Sequence, residues 1–249
     1  MRTVRLYGIA GMLAVSMGFG GCTETPPLPP PPVTDAPPPV VIDTTPPPIG
    51  ALEQTLIDSG LLDIQKEIPG IRVQLMYSTT DNFVHQDVYG DLERCYLRVE
   101  AVEKLKQAQS LLQAEHPGWS LLVYDGVRPH RIQTLMWEQL DIPFKRNYLA
   151  PPWEGSVHNY GCAVDLTIAD EKGVPLDMGT PFDFFGKEAQ PQLEALMLSQ
   201  GKLTEAQIDN RKLLRSVMKR AGFYDIHTEW WHFNAVANAT ARQRFTRIP

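Results

Sequence analysis

The segment HTEWWHFN, residues 227–234, places two histidines, a glutamate and two tryptophans in six consecutive positions. Glu229 and His232 are three residues apart, so in a regular strand their side chains would face opposite sides of the sheet. They can reach one site only at a bulge, a strand end or a turn. There, His232 would be a metal ligand and Glu229 could take a proton from a water molecule beside the metal. The segment therefore predicts half of a catalytic metal site.

The segment SVHNYGCAVDLTI, residues 156–168, could supply the other half. Asp165 lies in an apolar run, where an ionised carboxylate is costly unless it is paired, hydrogen-bonded or bound to a metal. His158 precedes it, and Gly161 between them would let the chain bend back. Alone, this pair is either two metal ligands or a structural His–Asp hydrogen bond. With His232 it forms a His/Asp/His set that leaves a fourth position for water, as in catalytic zinc sites.

A cationic side chain follows a third segment, YDGVRP, residues 124–129. Arg128 would stand at the end of a strand, held by Asp125. A guanidinium fixed in this way could stabilise a developing oxyanion. The alternative is an ordinary Arg–Asp pair on the surface.

The remaining histidines and the two tryptophans are predicted to be mainly structural. His227 would share a strand face with Glu229 and lie at the rim of the site. Trp230 and Trp231 would wall the site or, more commonly for tryptophan, fill the core. Three further histidines are predicted to be surface or capping residues: His85, His116 and His130.

The elements that must position these residues are a mixture of helices and strands. Hydrophobic periodicity and turn residues predict strands at 71–78, 119–126, 161–168 and within 224–234, and helices at 99–118 and 204–222. Thr204 is a candidate N-cap, and Gly222 stands just past the end of its helix. The order does not alternate strictly, which predicts an α+β domain with a small, mainly antiparallel sheet flanked by helices and the metal site on the sheet.

Residues 1–21 have the features of a secretory signal. Arg2 and Arg5 precede an apolar stretch, residues 6–19, which is too short to span a membrane. The predicted cleavage precedes Cys22, which resembles a bacterial lipoprotein signal with a lipidated cysteine, although Phe19 replaces the usual leucine. The alternative is an ordinary cleavable signal with an incidental cysteine.

Residues 22–50 are predicted to be a lipidated cysteine followed by a proline-rich linker. Residues 23–50 hold 12 of the 22 prolines, which favours a polyproline tether; a spacer without a length requirement is the alternative. The catalytic domain would then span residues 51–249. We expect an exported protein, anchored by lipid to a bacterial membrane, with this domain in the periplasm or cell-wall space.

The net charge bears on the kind of partner the protein binds, and the cysteine spacing bears on disulfide formation. The net charge of -6, without a basic stripe, argues against a nucleic-acid partner. Cys95 and Cys162 form no short-range pattern, so we expect them to be unpaired or buried as small hydrophobic residues.

The segments SVHNYGCAVDLT and EWWH together resemble the S-x-H-x-x-G-x-A-x-D … E-x-W-H signature of the zinc D-alanyl-D-alanine dipeptidases, which are related to zinc D,D-carboxypeptidases. The resemblance covers residues 70 to 234. Five further segments resemble segments of this family in the same order: MYSTTDNF, RCYL, YDGVRP, MGTPFDFF and NRKLLRSVMKRAGF.

The resemblance implies hydrolysis of the D-alanyl-D-alanine dipeptide to two D-alanines by a zinc-bound water, with one Zn²⁺ per chain. Glu229 would be the general base and acid, and Arg128 would stabilise the tetrahedral intermediate. Departures at Tyr160 and Cys162 bear on fine specificity. The implied zinc ligands are His158, Asp165 and His232. The implied substrate-binding residues are Asp183, which would hold the substrate ammonium, with Tyr77 and Ser156 lining the pocket.

Two other functions use the same residues. A zinc D,D-carboxypeptidase or endopeptidase would act on peptidoglycan peptides with an open cleft, and a lipid anchor near the wall favours it. A wall-binding lipoprotein with a relic zinc site would have no activity, but the intact Glu229 argues against it.

Overall fold

The computed structural model describes residues 49–140 and 148–249. The predicted signal peptide, Cys22 and all but the end of the proline-rich linker lie outside these residues. Among the described residues, no helix is both long and apolar enough to cross a membrane. The described α-helices are α1 (Ala51–Asp58), α2 (Ile64–Glu67), α3 (Val99–Glu115), α4 (His130–Gln139), α5 (Glu194–Ser199), α6 (Glu205–Arg220) and α7 (Asn238–Arg244).

The strands form one main sheet and one small ribbon. The main sheet has the order β2–β4–β5–β7–β6; β2 and β4 are parallel, and the other neighbours are antiparallel. β1 pairs with β3 in a separate antiparallel ribbon. This confirms the predicted α+β class with a mainly antiparallel sheet. The strands are β1 (Leu62–Asp63), β2 (Arg72–Val73), β3 (Tyr96–Leu97), β4 (Ser120–Asp125), β5 (Ala163–Ala169), β6 (Tyr224–Asp225) and β7 (His232–Asn234).

The central strand β5 aligns the polar residues of the sheet. All seven of its residues are buried, as its apolar sequence predicts. Asp165 pairs with Asp125 of β4 on one side and with His232 of β7 on the other. The register of β4 shifts between Val123 and Asp125, just before the chain leaves the sheet. Three neighbouring strands therefore bring two carboxylates and a histidine into one row.

Both predicted long helices are present, α6 with its predicted caps and α3 shorter than predicted. α3 packs against α6 and β4. It ends at Glu115, three residues earlier than predicted, because Pro117 and Gly118 cannot continue it. The Thr204 side chain accepts a hydrogen bond from the Gln207 backbone N–H and thereby caps α6. Gly222 follows α6 with a φ of 88°, which confirms the predicted end of that helix.

One of the predicted strands is wrong in extent. Within residues 71–78 only Arg72–Val73 is a strand, and Met76–Ser78 is a 3-10 turn. At this turn the chain leaves the sheet, and the Ser78 hydroxyl donates a hydrogen bond to Leu92 O. Within residues 224–234 the predicted strand material is present as two short strands, β6 and β7, and residues 226–231 between them, which include Glu229, are not strand.

Candidate active site

His158 is delivered by a short capped turn before β5. The Ser156 side chain accepts from the His158 backbone N–H at 3.3 Å, and Asn159 Oδ1 accepts from the Ser156 N–H at 2.7 Å. Gly161 then reverses the chain with a left-handed φ of 70°. A side chain at this glycine would begin only 2.6 Å from Leu61 Cδ2. The turn therefore needs glycine both for its backbone conformation and for space.

The side chains of His158, Asp165 and His232 converge on one point. Their facing atoms lie within 4.8 Å of one another, and all three residues are buried. Asp165 Oδ1 is 3.3 Å from His158 Nε2 and 3.0 Å from His232 Nδ1. The fold thus brings the predicted set together: β5 supplies Asp165, β7 supplies His232, and the turn before β5 supplies His158.

The outer nitrogens of the two histidines decide what this cluster can hold. His158 Nδ1 lies 2.7 Å from Gly126 O, and His232 Nε2 lies 3.0 Å from Asn234 Oδ1. Each acceptor can take a hydrogen from its histidine, which leaves the inner nitrogens of neutral rings with lone pairs for a metal. These inner nitrogens are 3.1 Å apart, and both lie within 3.3 Å of Asp165 Oδ1, so the three atoms together would attract a cation. The donor set therefore fits a metal ion.

Glu229 lies beside this cluster without belonging to it. It stands in the bend before β7, so it reaches the site at a strand end, as one of the predicted geometries requires. Its Oε2 is 4.0 Å from His232 Nδ1. Burial raises the pKa of Glu229 to about 8 in the metal-free protein, and nearby His232 opposes that rise. A carboxyl group in this position can accept and return a proton.

Arg128 is fixed by a buried network. Its Nε and Nη2 donate to Asp125 Oδ2 at 3.0 and 2.6 Å, and its Nη1 donates to Gln133 Oε1 at 3.2 Å. Nη2 is also 3.5 Å from Asp165 Oδ2. Tyr89 donates its hydroxyl to the other oxygen of Asp125 at 2.7 Å. The expected Asp125–Arg128 contact is thus present, and it is buried instead of lying on the surface.

Asp183 and Tyr77 form a hydrogen-bonded pair in the same cavity. The Tyr77 hydroxyl donates to Asp183 Oδ2 at 2.6 Å. Burial raises the pKa of Asp183 to about 8, although this hydrogen bond opposes the rise. Asp183 also has a φ of 57°, a left-handed conformation that few residues other than glycine adopt. A cationic ligand would stabilise the ionised form of this buried carboxyl group.

One cavity of about 330 Å³ joins these groups. Every predicted catalytic, metal-binding and substrate-binding residue of the described chain lines it. Several further lining residues were given no role from the sequence, although Phe83, Phe185 and Asn234 lie within segments quoted above; the others are Tyr148 and Asn238.

Comparison with known families agrees with this geometry. The peptidase family M15, described as D-ala-D-ala dipeptidase, matches residues 58–248. The chain belongs to this family. It is accordingly a metallopeptidase, and the clustered His/Asp/His donors suit a metal-dependent member of it.

Curated relatives of this family member are similar over most of their length. The chain is 35% identical over 173 residues to the D-alanyl-D-alanine dipeptidase of Escherichia coli, covering 70% of this chain and 83% of the relative. It is 28% identical over 197 residues to that of Enterococcus faecium, covering 71% and 92%. It is 30% identical over 196 residues to that of Streptomyces coelicolor, covering 68% and 88%.

The histidines, tryptophans and cysteines that were predicted to be structural lie mostly in the expected environments. His85 and His227 are exposed, and His116 follows the end of α3 and stacks on Trp119 at 4.3 Å. Trp230 and Trp231 are buried, and Cys95 and Cys162 are unpaired and buried. His130 is partly buried at the start of α4, and its Nδ1 has no hydrogen-bond partner among the described residues.

Proposed function

We propose that this metallopeptidase hydrolyses D-alanyl-D-alanine to two D-alanines, with Zn²⁺ as its metal. The main observation in support is the cavity that holds the His/Asp/His cluster, Glu229 and the Asp183–Tyr77 pair together. Its volume of about 330 Å³ suits a small ligand. Relatives with the name D-alanyl-D-alanine dipeptidase match most of this chain.

His158, Asp165 and His232 would hold the zinc. Two imidazole nitrogens and a carboxylate oxygen are a donor set that zinc accepts, with a further position left for water or substrate. When bound, zinc supplies Lewis acidity and lowers the pKa of a coordinated water. Gly126 O and Asn234 Oδ1 orient the two rings for this role.

Glu229 would move the proton. Its carboxylate is the group beside the cluster that is not engaged as one of the three donors. We assign it the transfer of a proton from the attacking water to the nitrogen of the leaving D-alanine.

Arg128 would stabilise the negative charge that develops on the carbonyl oxygen. Its guanidinium is already held by Asp125 and Gln133, so little reorganisation is needed during the reaction. A dry, fixed cation is more effective in this role than a mobile one in water.

Asp183 would bind the ammonium group of the substrate. The arriving ammonium would favour ionisation of this desolvated carboxyl group, and Tyr77 would fix its second oxygen. Ser156, which also caps the His158 turn, would line the pocket near the metal.

The location of the enzyme is a further part of the proposal. A lipidated Cys22 and a proline-rich tether would hold the domain outside the cytoplasm, in the periplasm or cell-wall space close to peptidoglycan. We propose that it recovers D-alanine from dipeptides released during wall turnover.

The test is release of D-alanine by the purified, zinc-loaded protein. We expect release from free D-Ala-D-Ala and none from a wall pentapeptide that ends in D-Ala-D-Ala. Release from the pentapeptide would support the D,D-carboxypeptidase instead. No release from either, with zinc bound, would support the non-enzymatic alternative.

Glu229→Gln tests the assignment of the base. We expect this variant to keep its zinc and to lose about 100- to 10,000-fold in kcat. Zinc content, measured by atomic absorption on the same preparation, is the control. A Glu229→Gln enzyme that is zinc-loaded and fully active would contradict the assignment.

A further inference from the structure

The loop that carries Asp183 has little regular structure of its own. We call residues 175–190 the Asp183 loop. Apart from one bridge at Pro175 and a 3-10 turn at Lys187–Ala189, this loop forms no helix and no strand. Asp183 nevertheless adopts a left-handed conformation, which persists only where surrounding contacts hold it. The contacts that fix the loop therefore also fix the carboxylate.

Arg211 of α6 ties the two sides of this loop together. Its side chain is fully buried. Its Nε donates to Met178 O at 2.6 Å, and its Nη1 donates to Glu188 O at 2.8 Å. These two carbonyl groups lie five residues before and five residues after Asp183. One rigid guanidinium thus spans the segment that presents the carboxylate, which a single flexible contact could not do.

Trp230, from a different segment of the chain, provides another contact that holds the loop. Its Nε1 donates to the Thr180 hydroxyl at 2.8 Å, and its ring centroid is 5.9 Å from Arg211 Cζ. Trp230 directly follows Glu229 in the sequence. The loop that carries Asp183 is therefore attached to the same segment that carries the proposed base.

We propose that Arg211 and Trp230 are positioning residues that fix Asp183 at the distance required to select substrates with a free amino terminus. Neither side chain lines the active-site cavity, so both act through the Asp183 loop. The inference rests on the proposed function, in which Asp183 binds the substrate ammonium.

The first test compares Arg211→Met with Arg215→Met. Arg215 lies one turn further along α6 and donates to Glu194 at 2.8 and 2.7 Å, and none of its described hydrogen bonds or ion pairs reaches the loop. Glu194 also lies 3.7 Å from Arg211 Nη1, so Arg215→Met controls for the loss of a cation beside this carboxylate. We expect Arg211→Met to raise KM for D-Ala-D-Ala by about 10- to 100-fold with a much smaller change in kcat. Its preference for D-Ala-D-Ala over the N-acetylated dipeptide should fall by a similar factor. Arg215→Met should retain both values.

Milder variants cover the case in which Arg211→Met does not fold. Trp230→Phe keeps the ring and removes the N–H donor, and Thr180→Val removes the acceptor. Both should shift KM and amino-terminus preference in the same direction as Arg211→Met, whereas Thr180→Ser should restore the wild-type values. Unchanged preference in Arg211→Met, Trp230→Phe and Thr180→Val would overturn the proposal.

Hydrogen exchange separates this proposal from the proposed function. In the substrate-free protein, amides of residues 175–190 should exchange faster in Arg211→Met than in Arg215→Met, with little change elsewhere. Equal exchange in the two variants would overturn the positioning role. Wild-type protein that releases no D-alanine would defeat the proposed function, and exchange would then decide on its own whether Arg211 holds the loop.

Discussion

Asp183 is held in a state that is unfavourable for an isolated carboxyl group. Its backbone is left-handed, and burial raises the pKa of its side chain to about 8. In the unfolded chain the same group ionises near pH 4. Between these values the folded protein retains a proton that the unfolded chain releases, so this residue lowers stability as pH rises from about 4 to about 8.

Asp183→Asn should therefore stabilise the metal-free protein, and the gain in melting temperature should be larger at pH 8 than at pH 4.5. Asparagine tolerates the left-handed conformation, so the backbone need not change. Calorimetry of both proteins at the two pH values measures the effect. The same substitution should weaken binding of D-Ala-D-Ala.

Asp177→Asn, on the same loop, is a control of opposite sign. A hydrogen bond from Gln207 lowers the pKa of Asp177, so its ionised form stabilises the fold at neutral pH. Its replacement should destabilise the protein at pH 8 and matter less as pH falls through the lowered pKa. A gain at pH 8 from Asp177→Asn, or none from Asp183→Asn, would contradict this account.

At the scale of the elements, the turn from His158 into β5 is the most demanding connection. Gly161 combines a left-handed backbone with a position where an added side chain would have to displace the Cδ2 methyl group of Leu61. Because His158 and Asp165 flank this turn, its geometry sets the distance between two of the proposed ligands.

Gly161→Ala should destabilise the protein by more than the about 1–2 kcal/mol expected for a left-handed alanine alone. It should also weaken zinc binding, measured by competition with a chromogenic chelator. Gly201→Ala is the matched control, since Gly201 has a similar φ of 66° and nothing within 4 Å of an added methyl group. Equal unfolding free energies for the two variants would show that the Leu61 contact is unimportant.

The sequence predicted elements and site residues where local patterns are strong. The cap at Thr204, the buried strand β5 and the clustering of His158, Asp165 and His232 are confirmed. The strand at 71–78 failed because alternation also occurs in an extended segment that turns away from the sheet. Asn234 and Arg211 were missed since their roles depend on which distant atoms they meet after folding.

At the scale of the whole molecule, the proposed anchor and tether determine where the domain works. A polyproline segment of this length could extend roughly 80 Å at about 3.1 Å per residue. The domain could then sample the space between a membrane and the wall polymer while remaining attached.

Cys22→Ala should release the protein from the membrane fraction of the producing bacterium. Metabolic labelling with a fatty acid, followed by fractionation, measures this. Cys162→Ala should remain labelled and membrane-bound, because Cys162 is buried inside the domain. Labelling that persists in Cys22→Ala would contradict the proposed anchor.

The three clustered side chains that are proposed to bind zinc also have a consequence for how the domain folds. Asp165 and His232 are 67 residues apart in the chain, with α5 and α6 between them. A chain that emerges N-terminus first therefore presents His158 and Asp165 well before His232. Zinc captured early would be weakly held, and it would become tightly bound only when β7 joins the sheet. Metal capture and the last step of sheet assembly would then be a single cooperative event.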